Sequence, residues 1–334
     1  MDRRTHHHHL KAPARCSSSD NKTDKASTSG KNPSSSLHPP PLFKFGLLAD
    51  IQYCDTDDRT NFSGSQVRRY RNALNVARNA VEHFNLHHQQ LEEDTTTLNN
   101  TTTGGARSAK TPGIDFIVHN GDIIDHQCAF DFQTDSFKPL SEGRRQLADV
   151  MQILDRSACR DWIFTIGNHE LYNFTRRELI DGVDLKKEGI ESYSKDGLTF
   201  KCASEDGDLY YAKKPHEKWK VIILNPYDVS IYSKGREQGL DEEALSLLRK
   251  HNPNADKWCD ENPDVVQTER MSGTFPYFKD LEGLNGRWVP FNGGVGATQL
   301  EWLRAELKRS KENEEKVLIF CHLLVHPKTT SGTG

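Results

Sequence analysis

Residues 115–126 read DFIVHNGDIIDH, and the rest of the chain is best understood from this stretch. A short apolar run, Phe116 to Val118, is cut off by Gly121 and Asp122, and a second aspartate follows at Asp125. A run of this length closed by a turn signal predicts a buried strand. Open α/β sheets bind ligands just outside the carboxyl ends of their strands. Asp122 and Asp125 are therefore candidates for chemistry. An aspartate after a strand is also commonly a turn residue or helix cap, so the pattern must recur elsewhere to carry weight.

It does recur. FKFGLLADIQ (43–52) is an apolar run ending in Asp50 and Gln52, and WIFTIGNHE (162–170) ends in Gly167, Asn168, His169 and Glu170. WKVIILN (219–225) is a further strand, and EKVLIFCHLL (315–324) ends in Cys321 and His322. Helical spacing lies between them. QVRRYRNALNVARNAVEHF (66–84) places Val67, Tyr70, Leu74, Ala77, Val81 and Phe84 on one face. GRRQLADVMQIL (143–154), DEEALSLLRK (241–250) and ATQLEWLRAELKRSK (297–311) predict three more helices, the last with Thr298 and Glu301 at capping-box spacing. Strand alternating with helix predicts an α/β fold whose sheet is parallel in at least one part. Four strands distant in sequence then deliver Asp, Gln, Asp, Asn and His to one rim, which turn-making alone does not explain.

The pieces ADIQ, GDIID, GNHE and CH, in that order, resemble the calcineurin-like metallophosphoesterases. Within that superfamily, FGLLADIQYCD, GNHELYNF, HNPN and FNGGVGATQLEWL are most similar to the manganese-dependent ADP-ribose/CDP-alcohol diphosphatases. The resemblance covers about Phe43 to Pro327 and implies a sandwich of two mixed β-sheets flanked by helices. It makes Asp122 a carboxylate shared by two divalent ions, Mn²⁺ or Mg²⁺, with Asp50 and Gln52 on the first and Asn168 and His322 on the second. A shared carboxylate sets two ions about 3.5–4 Å apart, which suits in-line attack on phosphorus by a metal-held hydroxide. His169 is then the proton donor to the leaving group, with Asp125 accepting from its other ring nitrogen. Many relatives carry His where this chain has Gln52, and an amide oxygen leans the site towards Mn²⁺ or Mg²⁺ over zinc.

The implied substrate is a small nucleotide with a diphosphate linkage, ADP-ribose or a CDP-alcohol. Another phosphodiester or phosphomonoester is the alternative within the superfamily. Phe62 could stack on a base or anchor its loop, and Asn292 and Gly293 could approach a ligand or form an ordinary turn before a helix. The family pattern continues to a Gly-His-x-His segment, which does not occur in this sequence, and His326 lies only four residues after His322. Two readings follow: a domain missing its last strands, or a short protein that binds metal or nucleotide without turnover.

Composition narrows the rest. The chain has 334 residues and a net charge of −4, which excludes a strongly basic nucleic-acid binder. Its seven cysteines are odd in number and widely spaced, and they predict free thiols of a reducing compartment, not a disulfide framework. No apolar run is long enough to span a bilayer, and the first residues lack the apolar core of a secretory signal, so the expectation is a cytoplasmic protein without a membrane partner. The Ser-rich, somewhat basic start offers weak support for an organelle transit peptide. Residues 1–41 predict a disordered arm, 42–334 a single metallophosphoesterase domain, and the Thr/Asn-rich stretch 87–113 a low-complexity insertion looping out of it.

Overall fold

In the computed structural model of the protein, the described residues are 43–60, 66–98, 113–131, 133–134, 136–186, 197–236, 241–256 and 277–325, with only the backbone described over 89–98. The expected arm at 1–41, Phe62 and His326 lie outside them.

The stretch that opened the analysis is the middle strand of a three-stranded parallel sheet. β1 (Lys44–Leu48) and β7 (Trp162–Phe164) flank β4 (Ile114–His119) on either side. Both faces of β4 are covered, which is why it reads as a near-continuous apolar run without alternation. Phe116 and Val118 point one way and pack with Ile163 against Val221, Ile223 and Phe320 of a second sheet. Ile114 and Ile117 join Cys159 in a separate cluster against Phe84. The second sheet has the order β10 (Lys316–Phe320), β9 (Trp219–Ile223), β8 (Tyr211–His216), with β10 parallel and β8 antiparallel to β9. Two sheets face each other across an apolar layer, the first parallel along its described strands and the second mixed.

Helices cover the outer side. α1 (Ala73–Leu98) and α2 (Leu140–Leu154) pack on each other and bury Ala77, Val81, Leu147, Val150, Met151 and Leu154, the last four at the i, i+3, i+4, i+7 spacing of one helix face. Further along lie α3 (Asn168–Asn173), α4 (Arg176–Asp181), α5 (Glu242–His251) and α6 (Ala297–Glu312).

Several local expectations are corrected. The helix expected over 66–84 starts only at Ala73. Val67 and Arg68 instead form β3, paired antiparallel with β2 (Arg59–Thr60), and Val67 is exposed. At its other end α1 continues to Leu98, so the first part of the stretch expected to loop out is helical, while 99–112 lie outside the described residues. His88 is held there by the Ile114 N–H, which donates to its Nδ1 at 3.1 Å. Thr298 does not cap α6. Gly296 precedes the helix, and its N–H is taken by Asp228 Oδ2 at 3.1 Å. β8, YAKKPH, escaped the reading because it is a sheet-edge strand with two lysines, a proline and an irregular register after Lys213, so it has no apolar alternation to detect.

Candidate metal centre

The residues at the strand ends are held in unusual backbone conformations. Asp50, Gln52 and Asp122 have φ of 54°, 45° and 59°, a left-handed region that non-glycine residues rarely occupy. Backbone bonds lock the two turns together: Asp50 N–H donates to the Gly121 carbonyl at 3.1 Å and Gln52 N–H to the Asp122 carbonyl at 3.0 Å. Such strain persists only where surrounding structure over-determines it, and it clusters at functional sites.

Glycines allow the close approach. A methyl group on Gly167 would sit 2.2 Å from Asp122 Oδ1, and one on Gly121 would sit 2.6 Å from His322 Nδ1. The strand ends therefore converge to distances that any side chain at these two positions would block.

Glu170, to which the sequence assigned no role, holds this arrangement. It is the third residue of α3 and fully buried. Its Oε2 accepts from Asp122 N–H at 2.8 Å and Gly167 N–H at 2.7 Å, and its Oε1 accepts from Ile123 N–H at 2.8 Å. One carboxylate thus ties the turn after β4 to the turn after β7. Burial, and then the nearby charge of Asp122, pushes its carboxyl up to about 7. α3 starts at Asn168, so the strand passes directly into a helical turn, and Glu170 is its N-terminal anchor.

Asp122 is the centre of the site. Its Oδ1 accepts from His169 N–H at 3.1 Å and faces His322 Nε2 at 3.5 Å. Its Oδ2 accepts from Gln52 Nε2 at 2.9 Å and faces His169 Nε2 at 3.6 Å. Against the desolvation that disfavours ionisation, the two imidazoles hold its carboxyl below the ordinary range. The tautomer of His322 is set by its Nδ1, which donates to the Asn120 carbonyl at 2.7 Å and leaves the lone pair of Nε2 towards Asp122. Asp50, Asp122 and His322 each offer a ligand atom within 4.8 Å of the others. Burial and then Asp122 raise the carboxyl of Asp50.

Asp50 and His322, expected on different ions, thus both bring a ligand atom close to the shared Asp122. Asn168 Oδ1 accepts from the Tyr227 hydroxyl at 3.2 Å, and its Nδ2 donates to the Tyr172 hydroxyl at 3.2 Å. Tyr227, which sequence reasoning missed, packs its ring 6.2 Å from that of His322.

His169 lies between two carboxylates. Its Nε2 is 3.6 Å from Asp122 and its Nδ1 3.7 Å from Asp125 Oδ2, too long for the expected hydrogen bond, so Nδ1 is buried without a partner. Asp125 is engaged elsewhere. Oδ2 accepts from Arg68 at 3.2 Å, and Oδ1 accepts from Gln127 N–H and contacts His126 Nδ1, each at 3.0 Å. Burial lowers the pKa of His169 below the usual imidazole range, although both carboxylates pull it up. The ring of His126 lies 5.2 Å from that of His169.

Gly293 packs under Tyr227, where an added methyl would meet the Pro226 carbonyl at 2.4 Å. The Asn292 amide donates to the Arg287 carbonyl at 3.0 Å. The structure brings this turn to the Tyr227 backbone, with no contact to the carboxylates among the described residues.

Comparison with known proteins places the fold in a family. Residues 43–277 match the model of the calcineurin-like phosphoesterase family. A manganese-dependent ADP-ribose/CDP-alcohol diphosphatase from Bos taurus is 28% identical over 292 residues, covering 86% of this chain and 69% of that protein. One of the same name from Danio rerio is 30% identical over 290 residues, covering 86% and 71%. Among solved structures, a dimetal phosphatase from Danio rerio is similar with a TM-score of 0.55 and 29% identity, over 86% of this chain and 71% of that one. With the family model spanning the strands that carry Asp50, Asp122 and Asn168, the chain belongs to the calcineurin-like phosphoesterases and is a hydrolase.

Proposed function

We propose that the protein hydrolyses the diphosphate linkage of a small nucleotide of the ADP-ribose or CDP-alcohol type, using two Mn²⁺ ions. The observation that carries the reading is Asp122, whose two carboxylate oxygens face different imidazoles while Asp50 and Gln52 crowd the same turn.

The donor set fits the metal. Carboxylate oxygens from Asp50 and Asp122, with the free lone pair of His322 Nε2, make a mixed oxygen and nitrogen site of the kind Mn²⁺ takes, and no thiolate takes part. Asp50 and Gln52 would hold one ion and Asn168 and His322 the second, with Asp122 shared by both. When bound, the ions activate water and neutralise charge on the phosphoryl oxygens.

The remaining steps belong to the chain. Glu170 fixes the two turns so that Asp122 and Asn168 keep their spacing. His169, with a carboxylate on either side of its ring, donates a proton to the oxygen of the departing phosphate. Asp125, 3.7 Å from Nδ1, acts on the ring through its charge and not through a hydrogen bond. Positioned proton donors of this kind contribute roughly 10²–10⁴-fold. Phe62, Asn292 and Gly293 are assigned to holding the nucleoside.

The test is hydrolysis of ADP-ribose, CDP-choline and bis-p-nitrophenyl phosphate by the full chain with Mn²⁺. A kcat/KM for a diphosphate well above that for the simple ester is expected. Preference for the simple ester sinks the substrate assignment. Mn²⁺ binding that depends on Asp122 without turnover of any ester points to the non-catalytic alternative.

A further inference from the structure

Arg68 enters the site from a direction the family motifs do not mark. It lies on β3, the two-residue strand that replaces the first turn of the expected helix. One terminal nitrogen of its guanidinium donates to Asp125 Oδ2 at 3.2 Å, and buried Tyr70 lies near enough to feel its charge. Asp125 has no accessible surface, yet the Arg68 side chain is 34% exposed. A guanidinium has five N–H donors in a planar fork, so the bond to buried Asp125 anchors the group and leaves donors for a further partner.

The guanidinium stands beside the proposed proton donor. Arg68 and His169 flank the same oxygen, Asp125 Oδ2, at 3.2 and 3.7 Å. The positive charge of Arg68 is also felt by Asp50 and by the His169 ring. Gln127 N–H and His126 hold the other oxygen of Asp125, so Arg68 is the donor to Oδ2 and has N–H groups to spare beyond that bond. A pinned, half-open arginine beside the proposed metal and proton-donor groups has the form of an anion anchor.

We propose that Arg68 binds the second phosphate of the substrate, the one that is not attacked. This rests on the diphosphate reading: such a linkage brings two anionic centres, and Asp50, Asp122, Asn168, His322 and His169 account for only one. The planar fork matches two oxygens of a phosphate at once.

The experiment compares the full chain with Arg68→Gln and Arg68→Lys on ADP-ribose and on bis-p-nitrophenyl phosphate, which carries a single phosphorus. In parallel, the metal-free proteins are titrated calorimetrically with inorganic pyrophosphate. Arg68→Gln is expected to raise KM for ADP-ribose about ten-fold or more, the scale of one lost charge-assisted hydrogen bond, and to weaken pyrophosphate similarly. Its effect on kcat/KM for the single-phosphate ester stays within about three-fold, and Arg68→Lys recovers part of the loss. Equal losses on both esters mean that Arg68 acts only through Asp125 and His169, which overturns the assignment. So does pyrophosphate binding that is unchanged in Arg68→Gln or absent from the unaltered chain. A protein that leaves ADP-ribose intact but binds pyrophosphate through Arg68 refutes the diphosphatase reading and leaves the assignment standing.

Discussion

At the scale of single residues, the site depends on groups whose roles come from what they touch. Glu170 accepts three backbone N–H bonds with no exposure to solvent. Glu170→Gln turns one oxygen into a donor facing those N–H groups, and leaving buried partners unmade costs about 1–3 kcal/mol each. A loss of about 2–4 kcal/mol is therefore expected in urea unfolding, together with weaker Mn²⁺ binding, because the turns carrying Asp122 and Asn168 are no longer tied. Gly167→Ala tests the close approach directly. Its methyl would lie 2.2 Å from Asp122 Oδ1, so Mn²⁺ affinity and turnover should both fall by roughly 10²-fold while the far-ultraviolet circular dichroism stays native. Of these two, only the position beside the motif glycine was legible in the sequence. Glu170 is three residues from Gly167 in the chain, but two of its three bonds go to residues nearly fifty positions earlier, and no local pattern reports that.

At the scale of elements, the second sheet is fastened by charge on its polar side. Glu315, just before β10, contacts Lys214 of β8 at 2.7 Å and Lys220 of β9 at 3.2 Å, and Lys220 reaches Glu306 of α6 at 2.9 Å. Its partner lysines, Lys214 first, hold the Glu315 carboxyl down to about 2. A carboxyl whose folded pKa is depressed stabilises above its unfolded pKa of about 4.3 and loses that contribution as pH falls towards its folded value. Acid unfolding should therefore have a component between about pH 4.5 and 2 that disappears in Glu315→Gln, read from the slope of stability against pH. β9 and β10 were plain in the sequence because their inward faces are apolar. β8 was not, since its lysines satisfy partners on other elements and carry no periodic signal of their own.

For the whole molecule, the site joins two sheets. Asp50, Asp122 and Asn168 follow β1, β4 and β7 of the first sheet, whereas His322 follows β10 of the second. Only the folded chain brings these ligand atoms together, so Mn²⁺ should stabilise it by about 2.7 kcal/mol at one hundred times the dissociation constant, measured as a shift in chemical denaturation that chelation reverses. Ile223 packs in the layer between the sheets without touching the site. Ile223→Ala should lose about 2–4 kcal/mol of stability and also weaken Mn²⁺ binding, since His322 rides on the sheet that the change loosens. Full stability loss with unaltered Mn²⁺ affinity would mean that the two sheets position their ligands independently.

The sequence by itself determined that the candidate residues would lie at strand ends, because a buried parallel strand announces itself as an apolar run and its stopping point is visible. Asp50, Gln52, Asp122, Asn168, His169 and His322 were all found in this way. The tertiary structure alone decided their contacts: Asp50 and His322 both close to Asp122, Asn168 with Tyr227 and Tyr172, and Asp125 with Arg68 and His126 ahead of His169. The reason is that pairing across a rim depends on the twist and packing of two sheets and on left-handed turns at Asp50, Gln52 and Asp122, and none of these leaves a periodic trace in the chain.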